Sequence, residues 1–138
     1  MIALQEVHSV AGGKLEEDQA RFIAEQLGGY NWQFGENRKL RNGVYGNVTL
    51  SRYPVRFVCN YDITWRGRER RGVLRTDIDV GAGRLLHVFN VHLGTSFLER
   101  RHQARRMCSV EVPHREDFRG PRVVVGDFNE GHEGWPRA

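Results

Sequence analysis

Five side chains in this sequence stand where an apolar segment ends, and their types suit work on an anionic substrate. The segment "RVVVGDFNE" (122–130) runs from an apolar stretch, Val123–Val125, through a glycine into Asp127 and Asn129. Residues two apart in an extended chain face the same side, so both can reach one cleft. An Asp there can orient or deprotonate an attacking water. An Asn can hydrogen-bond a phosphoryl oxygen that gains charge in the transition state. The alternative is an Asx turn, which both residues favour. Glu6 ends "IALQE" and is costly to bury alone. Either a divalent ion with hard oxygen ligands, such as magnesium, or an Arg or backbone amide at the sheet rim would satisfy it. His92 in "NVHLG" can hydrogen-bond a phosphate oxygen or serve as a satisfied core histidine. Arg71, preceding "GVL", completes the set. Polar groups at strand ends are held by rigid strands and left reachable by loops.

The elements that must position them follow from periodicity. "IALQEV" is a short buried strand. "EEDQARFIAEQLGG" (16–29) is a helix with Ala20, Ile23, Ala24 and Leu27 on its core face, acids in its first turn and Gly28 as its stop. Tyr30, Trp32 and Phe34 alternate with Asn31 and Gln33 as a strand should. "YGNVTLSRYPV" is a further strand closed by Pro54. "RFVCNYDIT" and "GVLRTDIDV" are half-buried antiparallel strands. Val73, Ile78 and Val80 do not share one face of the second, which a bulge there would reconcile. "GRLLHVFNVHLG" is a long strand, with Leu85, His87, Phe89, Val91 and Leu93 on one face and Leu86, Val88, Asn90 and His92 on the other. "SFLERRHQARRMCSVEV" (96–112) is a second helix, with a capping box from Ser96 and Glu99. Phe97, Ala104, Met107 and Cys108 form its expected buried stripe, and Arg100, Arg101, Arg105 and Arg106 fill much of its solvent side. The last strand, Arg122–Val125, reads as buried. Strands outnumber helices in the order βαβ, several strands, then αβ, which indicates an α/β sandwich with largely antiparallel sheets.

Composition fits one soluble domain over residues 1–138, with 39% hydrophobic and 28% charged residues. No apolar run is long enough to cross a bilayer, and the N-terminus lacks the basic-then-apolar pattern of a signal peptide. The compartment is left open, with the cytoplasm as the default and a targeting segment ahead of residue 1 as the alternative, and oligomeric state is left open as well. A net charge of +4, carried mostly by Arg, suits nucleic acid, a phosphoester or an anionic lipid. Cys59 and Cys108 lie outside any metal-ligand spacing, and two buried thiols are expected rather than a disulfide. His8, His87, His102, His114 and His132 are read as ordinary polar residues.

Taken together, "IALQEV", "GNVTLSRYPV", "RRGVLRTDID", "LLHVFNVHLG" and "VVVGDFNE", in this order from Ile2 to Glu130, resemble the endonuclease/exonuclease/phosphatase superfamily of deoxyribonuclease I-like phosphoesterases. The resemblance implies a four-layer α/β sandwich with its site at one end of two packed sheets. It also implies magnesium-dependent hydrolysis of phosphate esters, with manganese as the alternative ion. By motif, Glu6 matches the metal-binding glutamate and Asp127 the residue that serves the attacking water. Asn129 matches the phosphate-binding asparagine, His92 a histidine on the scissile phosphate, and Arg71 a site arginine, although Arg70 beside it competes for that assignment. Asn47 of "GNVTLSR" is expected to be structural. The family's leading Asn-bearing strand, a mid-domain Asp and its closing Asp-His motif have no match here. The resemblance thus implies an incomplete domain, with activity impaired in this chain. DNA, RNA and a phospholipid head group all fit as substrates. A lipid would call for an exposed apolar anchor, for which Trp65 in "ITWRGRERR" is the candidate. The competing reading is a non-catalytic basic module that binds nucleic acid or another anionic partner.

Overall fold

Apolar alternation in this chain produces two sheets laid face to face, seen in a computed structural model that describes residues 1–10, 12–14, 17–109 and 120–130. The chain order is β1 (Ile2–Ser9), α1 (Gln19–Gln26), β2 (Asn31–Leu40), β3 (Gly43–Ser51), β4 (Val55–Asp62), β5 (Gly72–Asp79), β6 (Leu85–His92), α2 (Phe97–Ser109) and β7 (Arg122–Asp127). One sheet has the order β1-β3-β2 and the other β4-β5-β6-β7, all antiparallel except the β6–β7 pair. Each outer face carries its own core. Val7, Val48 and Leu50 lie under Ala20 and Ala24 of α1, with Tyr30, Trp32 and Phe34 packed alongside. Ile63, Val73, Phe89, Val91 and Leu93 form the other cluster, against which Met107 of α2 packs. The layers are therefore helix, sheet, sheet, helix, an incomplete form of the four-layer sandwich that the resemblance implies.

The layer between the sheets mixes buried Leu74, Ile78 and Val88 with polar side chains, and two asparagines tie it together. Asn90 on β6 donates to the carbonyls of Leu4 on β1 and Val48 on β3, at 3.0 and 2.9 Å. Its own carbonyl accepts from Gln5 at 2.7 Å. Asn47 on β3 donates back to Gly72 O and Asn90 O, at 3.1 and 3.2 Å. Both side chains are fully buried, and their bonds satisfy carbonyls that would otherwise be desolvated without partners.

Several expectations are corrected. In α1 the buried residues are Ala20 and Ala24, whereas Leu27 is exposed, because the helix ends at Gln26 and Leu27 is only its C-cap. The acids do not crowd its first turn. Asp18 is instead the N-cap, accepting from Arg21 N at 3.1 Å and from Ser9 Oγ at 2.8 Å. In α2 the apolar stripe holds only in part: Met107 packs on the sheet and Ala104 is half-buried, but Phe97 and Cys108 are exposed and the fully buried residues are Glu99 and Gln103. Gln103 accepts from the Gly94 amide at 2.7 Å and donates to Glu99 at 3.0 Å, so a polar clamp on the end of β6 sets the helix face. Cys59 is only half-buried, so neither thiol is enclosed. The β5–β6 pairing is continuous from Val73 to Asp79, and the register shift lies on β4 between Val55 and Phe57. Strand β7 is half-exposed rather than buried, because it has a pairing neighbour on one side only among the described residues. Trp65 is packed, stacked on His102 with ring centroids 5.8 Å apart and facing Arg68, which leaves it unfit as a membrane anchor. His114, His132 and residues 110–112 of the expected second helix lie outside the described residues.

Replacing Asn90 by Ala should cost about 2–5 kcal/mol, because it leaves two buried carbonyls and the Gln5 amide without their partner. Denaturant titration measures this. A loss below about 0.5 kcal/mol, the range of an ordinary surface change, would remove the asparagine lock as a stabilising element.

Candidate active site

Two bulges flank one short piece of β3. Leu4 pairs with Val48 and Val7 with Gly46, so Gln5 and Glu6 together oppose Asn47. On the other side Glu36 pairs with Gly46 and Arg38 with Tyr45, leaving Asn37 as the extra residue. Position 46 must be glycine, since a Cβ there would collide with the Gly35 carbonyl. A bulge turns a side chain out of the regular alternation. Glu6 accordingly has φ 58°, a left-handed conformation that a non-glycine residue adopts at a cost. Its carboxylate is exposed and forms no ion pair among the described residues. Its neighbour is Tyr45, whose phenol is pushed up to about 12, first by burial and then by the Glu6 carboxylate.

The second sheet brings the other groups to the same end. His92, the last residue of β6, is directly opposite Asp127, the last residue of β7, in the parallel register. Nε2 of His92 lies 3.9 Å from Oδ2 of Asp127, too far for a direct hydrogen bond. The His92 side chain is buried and Asp127 is half-exposed. Burial, and then the positive charge of Arg71, lower the His92 pKa, and the Asp127 and Glu6 carboxylates oppose them without prevailing. His92 is therefore neutral at pH 7. Arg71 is 8% exposed, pairs with Glu69 at 3.1 Å, and keeps a buried Nε with no hydrogen-bond partner. Arg70 is 71% exposed, so the structure puts Arg71, not its neighbour, among the site groups. Past β7, the Asn129 amide donates to Asp127 Oδ1 at 2.8 Å, which is an Asx turn, and φ at Asn129 is 51°. The Asn129 carboxamide donates to Leu93 O at 2.6 Å, which ties the turn to the end of β6.

All five expected residues thus share one end of the sandwich. They bring together an unpaired carboxylate, a buried guanidinium with a spare N–H, a neutral imidazole, and an Asp and Asn fixed by a turn. Sequence reasoning missed Tyr45 and Glu69, which face Glu6 and Arg71. It also missed Asn37, which a bulge delivers to this end. Asn47 makes the sheet-to-sheet bonds described above and is a structural residue.

The family model for the Endonuclease/Exonuclease/phosphatase family matches residues 1–138. The chain belongs to this family. It is 35% identical over 112 residues to the uncharacterized protein YbhP of Escherichia coli K12, a match that covers 79% of this chain and 42% of YbhP. Among solved structures, an endonuclease/exonuclease/phosphatase from Beutenbergia cavernae is similar at a TM-score of 0.68 and 25% identity, over 92% of this chain and 38% of that one. ANGEL2, a 2′,3′-cyclic phosphatase, shares the fold at a TM-score of 0.65 and 19% identity, over 92% of this chain and 38% of its own. The chain therefore spans less than half the length of these relatives.

His92 should titrate below its ordinary 6.5 in the folded protein. An unfolded chain then binds more protons than the folded one, so this contribution to stability is present above about pH 6.5 and is lost as the pH falls. Imidazole NMR titration checks the midpoint. Arg71→Gln should raise it by removing a nearby positive charge, and an unchanged midpoint would place Arg71 outside the electrostatic environment of His92.

Proposed function

We propose that this chain carries the catalytic end of a metal-dependent phosphoesterase that hydrolyses phosphate ester bonds. The observation that carries the reading is the convergence of Glu6, Arg71, His92, Asp127 and Asn129 on one end of the sandwich, together with the spare N–H on buried Arg71. An orphaned guanidinium donor in a buried site is costly, and an anionic oxygen would relieve it with a charge-assisted bond. Asp127, half-exposed and held by the turn, would orient the attacking water. Asn129 uses one amide hydrogen on Leu93 O and keeps the other for a phosphoryl oxygen. Neutral His92 would offer an N–H to the substrate without repelling Arg71.

Glu6 fits a hard divalent ion, being an exposed carboxylate in no ion pair among the described residues. Among the described residues no three His, Cys, Asp or Glu side chains gather into a metal cage. A magnesium or manganese ion would then rest on Glu6, waters and substrate, as magnesium commonly does. When bound, the ion would neutralise charge developing on the phosphoryl group. The description of ANGEL2 as a 2′,3′-cyclic phosphatase supports phosphate-ester chemistry on this fold.

One further observation favours the non-catalytic reading. Arg38, Lys39 and Arg41 at the β2–β3 hairpin and Arg66, Arg68 and Arg70 before β5 form two exposed basic segments, joined by the 3.3 Å Arg38–Glu69 ion pair. A nucleic acid held there would bind in a salt-sensitive manner that ignores magnesium.

Hydrolysis of bis(p-nitrophenyl) phosphate, with magnesium and then with EDTA, tests the two readings on this chain and on a longer form extended at both ends. Magnesium-dependent turnover is expected, falling by about 100-fold or more in Asp127→Asn with the melting temperature retained. Turnover within tenfold of the unsubstituted protein would sink the role of Asp127. No turnover in either form, with nucleic-acid binding intact in EDTA and in Asp127→Asn, would establish the binding module instead.

A further inference from the structure

Beside Arg71, on the β2–β4 side of the sandwich, a cavity of about 140 Å³ opens between the two sheets. Its wall is built from Glu36 and Asn37 of β2, Asn60 and Asp62 of β4, and Thr64, Arg70 and Arg71 of the segment before β5. Among the described residues no wholly apolar side chain lines it. Arg71 belongs both to this wall and to the group of residues around His92, so whatever sits in the cavity adjoins the proposed phosphate position.

The cavity is built rather than incidental. Asn37 is the bulged residue of β2, turned out of the strand's alternation. Asn60 donates to Glu36 O at 2.8 Å and to Asn37 Oδ1 at 3.1 Å, which holds the two carboxamides in one orientation. Gly72 makes room for them, because a Cβ at that position would strike Asn37 Oδ1 and crowd Asn60 Oδ1. The Asn37 NH₂ has no acceptor among the described residues, and neither does the Asn60 carbonyl a donor. Two carboxylates complete the wall. Burial pushes the Asp62 pKa up, but hydrogen bonds from Thr64 and the charges of Arg70 and Arg106 outweigh it, so Asp62 stays an ionised acceptor.

We propose that this cavity receives the alcohol side of the scissile ester, a group bearing neighbouring hydroxyls such as a sugar or polyol. The inference rests on the phosphoesterase reading and names its substrate class. A hydroxyl both donates and accepts, and a wall that mixes carboxylate oxygens with amide N–H groups answers both needs. An acyl chain would strand those polar groups without partners. A second phosphate would meet Glu36 and Asp62 as well as Arg70 and Arg71, so the wall has no net positive charge to favour it. The volume corresponds to about five water molecules, the scale of a pentose or glycerol unit and not of a long chain.

Isothermal titration with ribose 5-phosphate, glycerol 3-phosphate and inorganic phosphate, each with magnesium, tests this. At least one of the two hydroxyl-bearing esters should bind about tenfold more tightly than inorganic phosphate, and whichever does identifies the source as sugar or polyol. Glu36→Gln and Asn37→Ala should each erase most of that preference while keeping the melting temperature. Equal affinities for the three ligands, absence of binding by all of them, or a preference that survives both substitutions would overturn the proposal. Bis(p-nitrophenyl) phosphate has no hydroxyls, so its turnover reports on the phosphoesterase reading alone. Turnover of that ester without a hydroxyl preference would sink only the cavity's assignment, and a preference without turnover only the hydrolysis.

Discussion

The Asn90 side chain is the constraint on which the rest of this molecule depends. It sits fully buried between two sheets and joins β6 to β1 and β3 through backbone carbonyls. One of those carbonyls, Leu4 O, immediately precedes the bulge that carries Glu6. A bulge interrupts the regular ladder and leaves backbone groups in need of partners. Asn90, with Gln5 held to its carbonyl oxygen, supplies them from the opposite sheet. The bond that fixes the distance between the sheets therefore also stabilises the distortion that aims Glu6. His92 lies two residues beyond Asn90 on the same face of β6, so the same lock sets how far His92 stands from Glu6.

Electrostatics at this end are organised around Arg71. A buried guanidinium is tolerable only with compensation, and Glu69 provides one carboxylate at 3.1 Å. The compensation is incomplete, as the unpartnered Nε shows. Burial, and after it the charge of Arg71, lowers the His92 pKa although a carboxylate stands 3.9 Å away. Positive charge is thereby concentrated on a guanidinium that cannot deprotonate, and the imidazole is left free to donate or accept. Such a division suits an anionic guest better than two competing cations would.

The sequence was most legible where burial is one-sided. Trp32 and Phe34, or Phe89 and Val91, alternate because one face of each strand meets an apolar layer, and that pattern survives into the structure. The motifs at strand ends were legible for a related reason, since a charged residue terminating an apolar run has few structural uses. Residues whose placement depends on a partner strand were not legible. Asn37 lies in a stretch with no apolar period, and only the close approach of Gly46 to Gly35 explains its bulge. The face of α2 was misread in part because its contact with the sheet joins a polar clamp to the apolar Met107. Gln103 and Glu99 look like solvent residues until Gly94 presents an amide to them.

The distribution of groups over strands separates two tasks. Glu6, His92 and Asp127 come from β1, β6 and β7, held by Asn90 and by the β6–β7 register. The cavity draws on β2 and β4, which among the described residues are the sheet edges opposite β1 and β7. Single-sided strands tolerate bulges and insertions, because a change there disturbs one ladder and not two. Variation at β2 and β4 can therefore reshape what lies beside the phosphate position while leaving the residues around it unmoved. Arg71 begins the connection between the two regions, one residue before β5, and the first carbonyl of that strand, Gly72 O, is bonded by Asn47. The arginine shared by the two regions is thus tied to the same asparagine layer that holds the sheets together. A group bound in the cavity and a phosphate bound beside it would meet at a point the fold keeps fixed.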